Sequence, residues 1–177
     1  MATILNDELN VRAAAIRFFF VDVDGTLTDA TSLYTVDGEY GKYFSLRDGG
    51  GFYMLHRIGI ETGILTGETT PIVQARAEKL QIAHCYMDIK DKLSFMRRFV
   101  ERQGCSLQEV AYMGDDLNDY ALLKVVGLSF CPCDAHPLVR NVVDFISNYS
   151  GGKGAFRECA EQLVQCRCEN ILDLYHF

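Results

Sequence analysis

Short apolar runs separated by polar stretches and turn residues organise the chain. The first, Ile16-Arg17-Phe18-Phe19-Phe20-Val21, follows a polar lead. It is too short for most helices and rich in aromatic and β-branched side chains, which predicts a buried strand. Residues 60–65, 83–87 and 110–113 read the same way, with shorter strands at 128–130 and 144–146. Uniformly apolar strands suit a parallel sheet covered on both faces. Between them the periodicity lengthens to that of helices. Residues 49–58 place Phe52, Leu55 and His56 at helical spacing, and 71–80 open with Pro71 in a first turn. Residues 90–103 put Leu93, Met96 and Val100 on one side. Residues 118–124 and 136–141 read as shorter helices, and Ser106-Leu107-Gln108-Glu109 as a capping box. In 33–44, Tyr34, Val36, Tyr40, Tyr43 and Phe44 flank Asp37-Gly38, the pattern of a tight hairpin. Gly151-Gly152-Lys153-Gly154 breaks the pattern, and the tail to residue 177 reads helical. Strand and helix alternating in this way predict an α/β fold with a parallel sheet.

Composition narrows the class. The 177 residues suit one domain, on the usual ~100–200 residues each. With 49% hydrophobic and 23% charged residues the chain has a globular balance, and three Pro and 15 Gly exclude a collagen-like or low-complexity protein. No apolar run approaches the ~20 residues of a membrane helix. The opening Met-Ala-Thr-Ile-Leu-Asn-Asp-Glu lacks the basic-then-apolar secretory pattern, so a cytoplasmic location is expected. Seventeen basic and 24 acidic residues give a net charge of −7, which disfavours nucleic acid as a partner. An anionic small substrate then requires a local metal or cation. Seven cysteines, with Cys-x-Cys pairs at Cys131/Cys133 and Cys166/Cys168, read as reduced thiols rather than disulfides or a zinc site. His56, His84, His136 and His176 share no metal-ligand spacing and read as packing or surface residues.

Three predicted strands end in polar residues, and ligands of parallel sheets sit beyond the carboxyl ends of the strands. Asp22-Val23-Asp24-Gly25-Thr26 follows the first. One carboxylate can attack phosphorus, and the other can protonate a leaving oxygen and then activate water. A turn of solvated acids is the plain alternative. Thr66-Gly67 ends the second strand and can hold a phosphate oxygen, or simply cap a helix. Gly114-Asp115-Asp116-Leu117-Asn118-Asp119 closes the fourth, with three acids suited to a hard cation or to a helix N-terminus. Lys92 is by itself an ordinary surface charge, and beside these acids a phosphate clamp.

Taken together, and in this order, these pieces resemble the haloacid dehalogenase superfamily, over Phe18 to about Asp119. The resemblance implies a doubly wound, Rossmann-like sheet and a Mg²⁺-dependent phosphatase. It makes Asp22 the nucleophile and Asp24 the general acid/base. It places Mg²⁺ on Asp22, the Asp24 carbonyl and Asp115, with Asp116 and Asp119 behind them. Thr66, Gly67 and Lys92 would bind the phosphoryl group. The space after the first motif holds only the hairpin, so no large cap domain is expected. The chain is similar to the capless phosphatases of 3-deoxy-ulosonic acids, through the hairpin, Arg47-Asp48-Gly49, and Gly151-Gly152-Lys153-Gly154-Ala155-Phe156-Arg157-Glu158. That likeness implies a homotetramer assembled by the hairpins, in which a neighbour closes the active site, and makes Arg157 and Lys153 candidate substrate contacts. Glu68 and Lys79 resemble the branch acting on nonulosonate 9-phosphates such as 2-keto-3-deoxynononate 9-phosphate. Arg47-Asp48-Gly49 resembles instead the branch acting on 3-deoxy-manno-octulosonate 8-phosphate. A non-catalytic oligomerising module, like that of some acylneuraminate cytidylyltransferases, and a broader sugar-phosphate phosphatase are the rival readings.

Overall fold

The computed structural model describes residues 7–167 and 170–175. Six strands form one parallel sheet: β1 (Phe18–Val21), β4 (Glu61–Leu65), β5 (His84–Tyr86), β6 (Val110–Met113), β7 (Leu128–Cys131) and β8 (Phe145–Ile146), in the order β5-β4-β1-β6-β7-β8. The first strand in sequence therefore lies mid-sheet. The chain builds outward to one edge, crosses back and builds to the other, so the topological switch falls between β1 and β6. In register, Val21 pairs with Ile64 on one side and Met113 on the other. Three loops bearing chemistry thus leave the sheet side by side.

Both faces of β1 are covered, which explains its unbroken apolar sequence. Phe19 and Val21 point into a core shared with Phe52, Met54, Phe156 and Leu163. Phe18 and Phe20 point the other way, against Met96, Phe99 and Tyr112. The first layer includes α2 (Leu46–Arg57), α3 (Pro71–Lys79) and α7 (Ala155–Gln165). The second includes α4 (Lys92–Arg102), α5 (Tyr120–Leu123) and α6 (Pro137–Arg140). The expected capping box at Ser106/Glu109 is present around a short 3-10 turn.

Two expectations need correction, and one helix has no counterpart in the sequence pattern. The polar lead is not featureless: Asp7–Ala15 is α1, anchored by Arg12, which donates to both Asp144 carboxylate oxygens at 2.9 and 2.8 Å and to the Gly127 carbonyl at 2.7 Å. Helix α2 starts at Leu46, earlier than the glycines suggest, because Ser45 caps it by accepting from the Arg47 and Asp48 N–H groups. Its glycines serve close packing on α7: a Cβ on Gly51 would stand 3.1 Å from the Phe156 ring. Finally, α7 ends at Gln165, and after it the described chain forms only a 3-10 turn at Ile171–Leu174. Cys168 and His176 lie outside the described residues. Among those described, Cys85, Cys105, Cys131, Cys133 and Cys159 are free thiols, and no helix is long and apolar enough to cross a membrane.

The hairpin is a separate two-stranded antiparallel sheet, β2 (Ser32–Thr35) with β3 (Gly38–Lys42), standing over the carboxyl ends of the central strands. Leu33, Tyr34, Val36 and Tyr40 are exposed on it.

Candidate active site

A cleft of about 430 Å³ opens at the switch point between β1 and β6. Asp22, Asp24, Thr66, Gly67, Glu68, Asp115 and Asp116 all line it, together with Ser32, Glu39 and Lys42 from the hairpin. The loop after β1 is held tightly: Asp22 N–H donates to the Met113 carbonyl at 2.9 Å, and three successive N–H groups, of Thr26, Leu27 and Thr28, donate to the Val23 carbonyl. Gly25 has φ +89°, and a Cβ there would fall 2.0 Å from Asp115 Oδ2, so only glycine permits this turn beside this acid.

Below the cleft lies a buried charge network. Lys92, 1% exposed, places Nζ 2.9 Å from Asp22 Oδ1 and 2.6 Å from Asp119 Oδ1. Asp119 is saturated. Its Oδ1 also accepts from Tyr112 Oη at 2.5 Å, and its Oδ2 from the N–H groups of Asp115 and Asp116 at 3.0 and 3.3 Å. Asp119 therefore orients Lys92 and the Asp115 loop. Asp115 is held by Thr26, whose hydroxyl donates to Oδ1 at 2.9 Å.

The electrostatics are those of a site that wants a cation. Burial, reinforced by Asp119, raises Asp22 from its usual 3.8 to about 7 despite Lys92. Burial, reinforced by Asp22, raises Asp115 to about 7 as well. Burial also pulls on Lys92 in the downward sense, but its two carboxylate partners outweigh it and the net shift is upward. Ligand oxygens of Asp22, Asp115 and Asp119 lie within 4.8 Å of one another, the one such group among the described residues. With Asp119 already accepting four hydrogen bonds, Asp22 and Asp115 are the carboxylates left to take a hard ion. The donor set, oxygen only and few in number, fits Mg²⁺.

Thr66 is buried at the end of β4. Its backbone is fixed to Tyr86 and Ile89, and its hydroxyl accepts from the Glu68 N–H at 3.2 Å, leaving the hydroxyl proton for a ligand. Glu68 stands exposed at the cleft mouth. Lys79 and Arg157 are not brought to this cleft in their own chain. Lys79 is exposed in the last turn of α3. Arg157 sits at the start of α7 over a smaller cavity shared with Arg47 and Lys153, with Nε on Glu161 at 2.6 Å and its N–H on Asp48 Oδ1 at 3.0 Å. The sequence reading gave no role to Lys42, Thr26 or Tyr112. Thr26 closes the Asp22-Val23-Asp24-Gly25-Thr26 motif. Lys42 and Tyr112 carry no signal in a single sequence, because their partners Asp24 and Asp119 meet them only through folding.

A strand-end aspartate pair, a strand-end threonine, a helix-borne lysine and a second acidic loop, set on this sheet order, define a hydrolase class. Residues 56–156 match the haloacid dehalogenase-like hydrolase family, and the chain belongs to it. It is 36% identical over 158 residues to the 3-deoxy-D-manno-octulosonate 8-phosphate phosphatase of Yersinia pestis, covering 89% of this chain and 84% of that protein. Its Escherichia coli K12 counterpart is 37% identical over 153 residues, covering 86% and 81%. The crystal structure of the Moraxella catarrhalis enzyme, in complex with magnesium ion, phosphate ion and a KDO molecule, superposes with TM-score 0.87 at 33% identity, covering 90% of this chain and 92% of that one. A cobalt-bound Haemophilus influenzae phosphatase gives 0.84 at 35% identity, covering 88% and 91%. The chain is thus an enzyme of the phosphomonoesterase type, on the α/β fold with no large cap among the described residues.

Proposed function

We propose that the chain hydrolyses the phosphate monoester of a 3-deoxy-2-ulosonic acid through a phospho-aspartate intermediate on Asp22. The observation that carries this is the convergence of Asp22, Asp24, Thr66 and Asp115 on one cleft, with Lys92 2.9 Å from Asp22 beneath it. The Asp22 carboxylate, the Asp24 carbonyl and the Asp115 carboxylate would hold Mg²⁺. When bound, the ion supplies charge neutralisation for the phosphoryl oxygens.

Asp22 attacks phosphorus in line, forming an O–P bond as the bond between phosphorus and the sugar oxygen breaks. Asp24 gives its proton to the departing sugar oxygen, then takes one from the water that cleaves the acyl phosphate. Lys92 offsets charge on Asp22 and on the phosphoryl group, and the Thr66 hydroxyl and Gly67 N–H take a phosphoryl oxygen.

For the sugar, the 9-phosphate of a nonulosonic acid is our leading reading. Glu68 supports it: an exposed carboxylate at the cleft mouth offers a hydroxyl- or amine-bearing chain an acceptor, where an arginine would offer a cation. The 8-phosphate of 3-deoxy-manno-octulosonate is the second reading, favoured by what the relatives act on. Lys79 and Arg157 would reach substrate only in a neighbouring copy's cleft, as a homotetramer built through the hairpins would allow. Side-by-side kcat/KM for the two sugar phosphates tests the assignment. A clear preference for the octulosonate ester reverses it, absent hydrolysis of both removes the ulosonate reading altogether, and Mg²⁺-independent hydrolysis removes the metal's role.

A further inference from the structure

We infer that Lys42 is a positioning residue for proton transfer, holding Asp24 in the orientation from which it serves the leaving oxygen. The inference rests on the reading of Asp24 as general acid. Lys42 ends β3, yet its side chain is only 4% exposed, because it turns into the cleft. Its ammonium has three protons and meets three oxygens: Asp24 Oδ1 at 2.6 Å, Glu39 Oε1 at 2.8 Å and Ser32 Oγ at 2.9 Å. Two of these partners belong to the hairpin and the third to the catalytic loop. Asp24 itself, 31% exposed at the side chain, is the less confined of the two motif aspartates. Asp22 is clamped by the buried Lys92, whereas Lys42 is the sole ion-pair partner of Asp24 among the described residues. The hairpin shares no strand pairing with the central sheet, so this contact ties it to the reacting groups.

The chemistry gives the contact a specific consequence. Lys42 donates to Asp24 Oδ1 and leaves Oδ2 as the oxygen that carries the proton; as phosphorus passes to Asp22, that Oδ2–H bond breaks and its proton moves to the oxygen that leaves. That transfer matters for an alkoxide, which cannot depart unprotonated, and little for nitrophenolate. General acid catalysis is worth about 10²–10⁴ in rate where the leaving group needs it. A lost or misaligned Asp24 therefore reveals itself as a steeper dependence on the leaving group, which a loosened fold alone does not produce.

The experiment compares kcat/KM on a primary alkyl phosphate and on p-nitrophenyl phosphate, with Mg²⁺ saturating, for the wild type, Lys42→Met, Lys42→Gln, Lys42→Arg and Asp24→Asn. We expect Lys42→Met and Lys42→Gln to lose at least about ten-fold more on the alkyl ester than on the nitrophenyl ester, in the direction of Asp24→Asn, and Lys42→Arg to recover part of the difference. Equal losses on both esters, or no loss, with Asp24→Asn still discriminating between them, would overturn the role of Lys42 alone. A wild type inactive on both, or an Asp24→Asn variant that does not discriminate, would overturn the general-acid reading and this inference with it.

Discussion

Lys92 Nζ lies 2.9 Å from Asp22 Oδ1 and 2.6 Å from Asp119 Oδ1, one ammonium between two carboxylates that come from different strand ends. All three groups are essentially dry. Removing the one cation from between two buried carboxylates typically costs about 3–5 kcal/mol, because both acids then lose their compensation, whereas neutralising Asp22 leaves the Lys92–Asp119 pair intact. Lys92→Met should therefore abolish turnover and lower the thermal midpoint. The loss should be smaller at pH 5 than at pH 8, since Asp22 can take up a proton in place of its partner. An equal loss at both pH values would show that Lys92 does not neutralise Asp22.

Asp22→Asn should eliminate Mg²⁺-dependent phosphate release while leaving the metal-free fold at least as stable as the wild type. An amide removes the charge that burial and Asp119 disfavour. Circular dichroism melting in EDTA and a phosphate-release assay check the two halves. Residual hydrolysis beyond about 10⁻³ of wild type would move the nucleophile elsewhere.

The cation's effect on stability should depend on pH with a definite sign. Asp22 and Asp115 both rise from 3.8 in an unfolded chain to about 7 in the fold. Groups raised in this way contribute their stability below the unfolded value and lose it as the pH climbs through the folded one. Metal-free protein should accordingly lose stability between pH 4 and pH 7, all else equal. Mg²⁺ replaces the protons, so the rise in melting temperature it causes should be slight at pH 5 and large at pH 8. A rise that shrank toward pH 8 would contradict the site.

Gly151→Ala probes the back of the catalytic loop. A Cβ on Gly151 would stand 1.9 Å from the Gly25 carbonyl oxygen, and the next residue's N–H donates to the Thr26 carbonyl at 3.0 Å. Backbone cannot give way as a side chain can, so the alanine should cost about 1–3 kcal/mol and displace the loop. We expect kcat to fall and the Mg²⁺ requirement to rise, because Thr26 also holds Asp115. Unchanged metal dependence would confine the effect to packing.

Solution mass checks the proposed assembly. Tyr34, Val36 and Tyr40 are exposed on the hairpin. Light scattering should give four chains, and Val36→Asp with Tyr40→Asp should give smaller species. A wild-type monomer would remove the neighbour-supplied roles of Lys79 and Arg157.

Much of this architecture is legible in the primary structure, for identifiable reasons. The strand Val110–Met113 falls where the apolar run predicts it, since a strand buried on both faces tolerates no polar interruption. The candidate site acids are legible because they fall in the loops that follow such strands. Helix α1 was not: its anchor is the Arg12–Asp144 pair, a contact across the fold rather than an apolar stripe. The start of α2 was hidden by glycines that read locally as breakers, and that the close approach of α7 makes acceptable. Lys42 was invisible because its charge is spent on Asp24, a partner 18 positions earlier that only the hairpin's fold-back brings near.

The antiparallel ribbon borrows no hydrogen-bonded edge from the parallel sheet. Its residues can consequently be exchanged without unpairing a single strand of the core that carries the reacting groups. Replacing residues 32–42 with the ribbon of a relative, Lys42 retained, is thus a modular route to new selectivity: the chemistry stays with the scaffold, and the wall of the cleft becomes a swappable part.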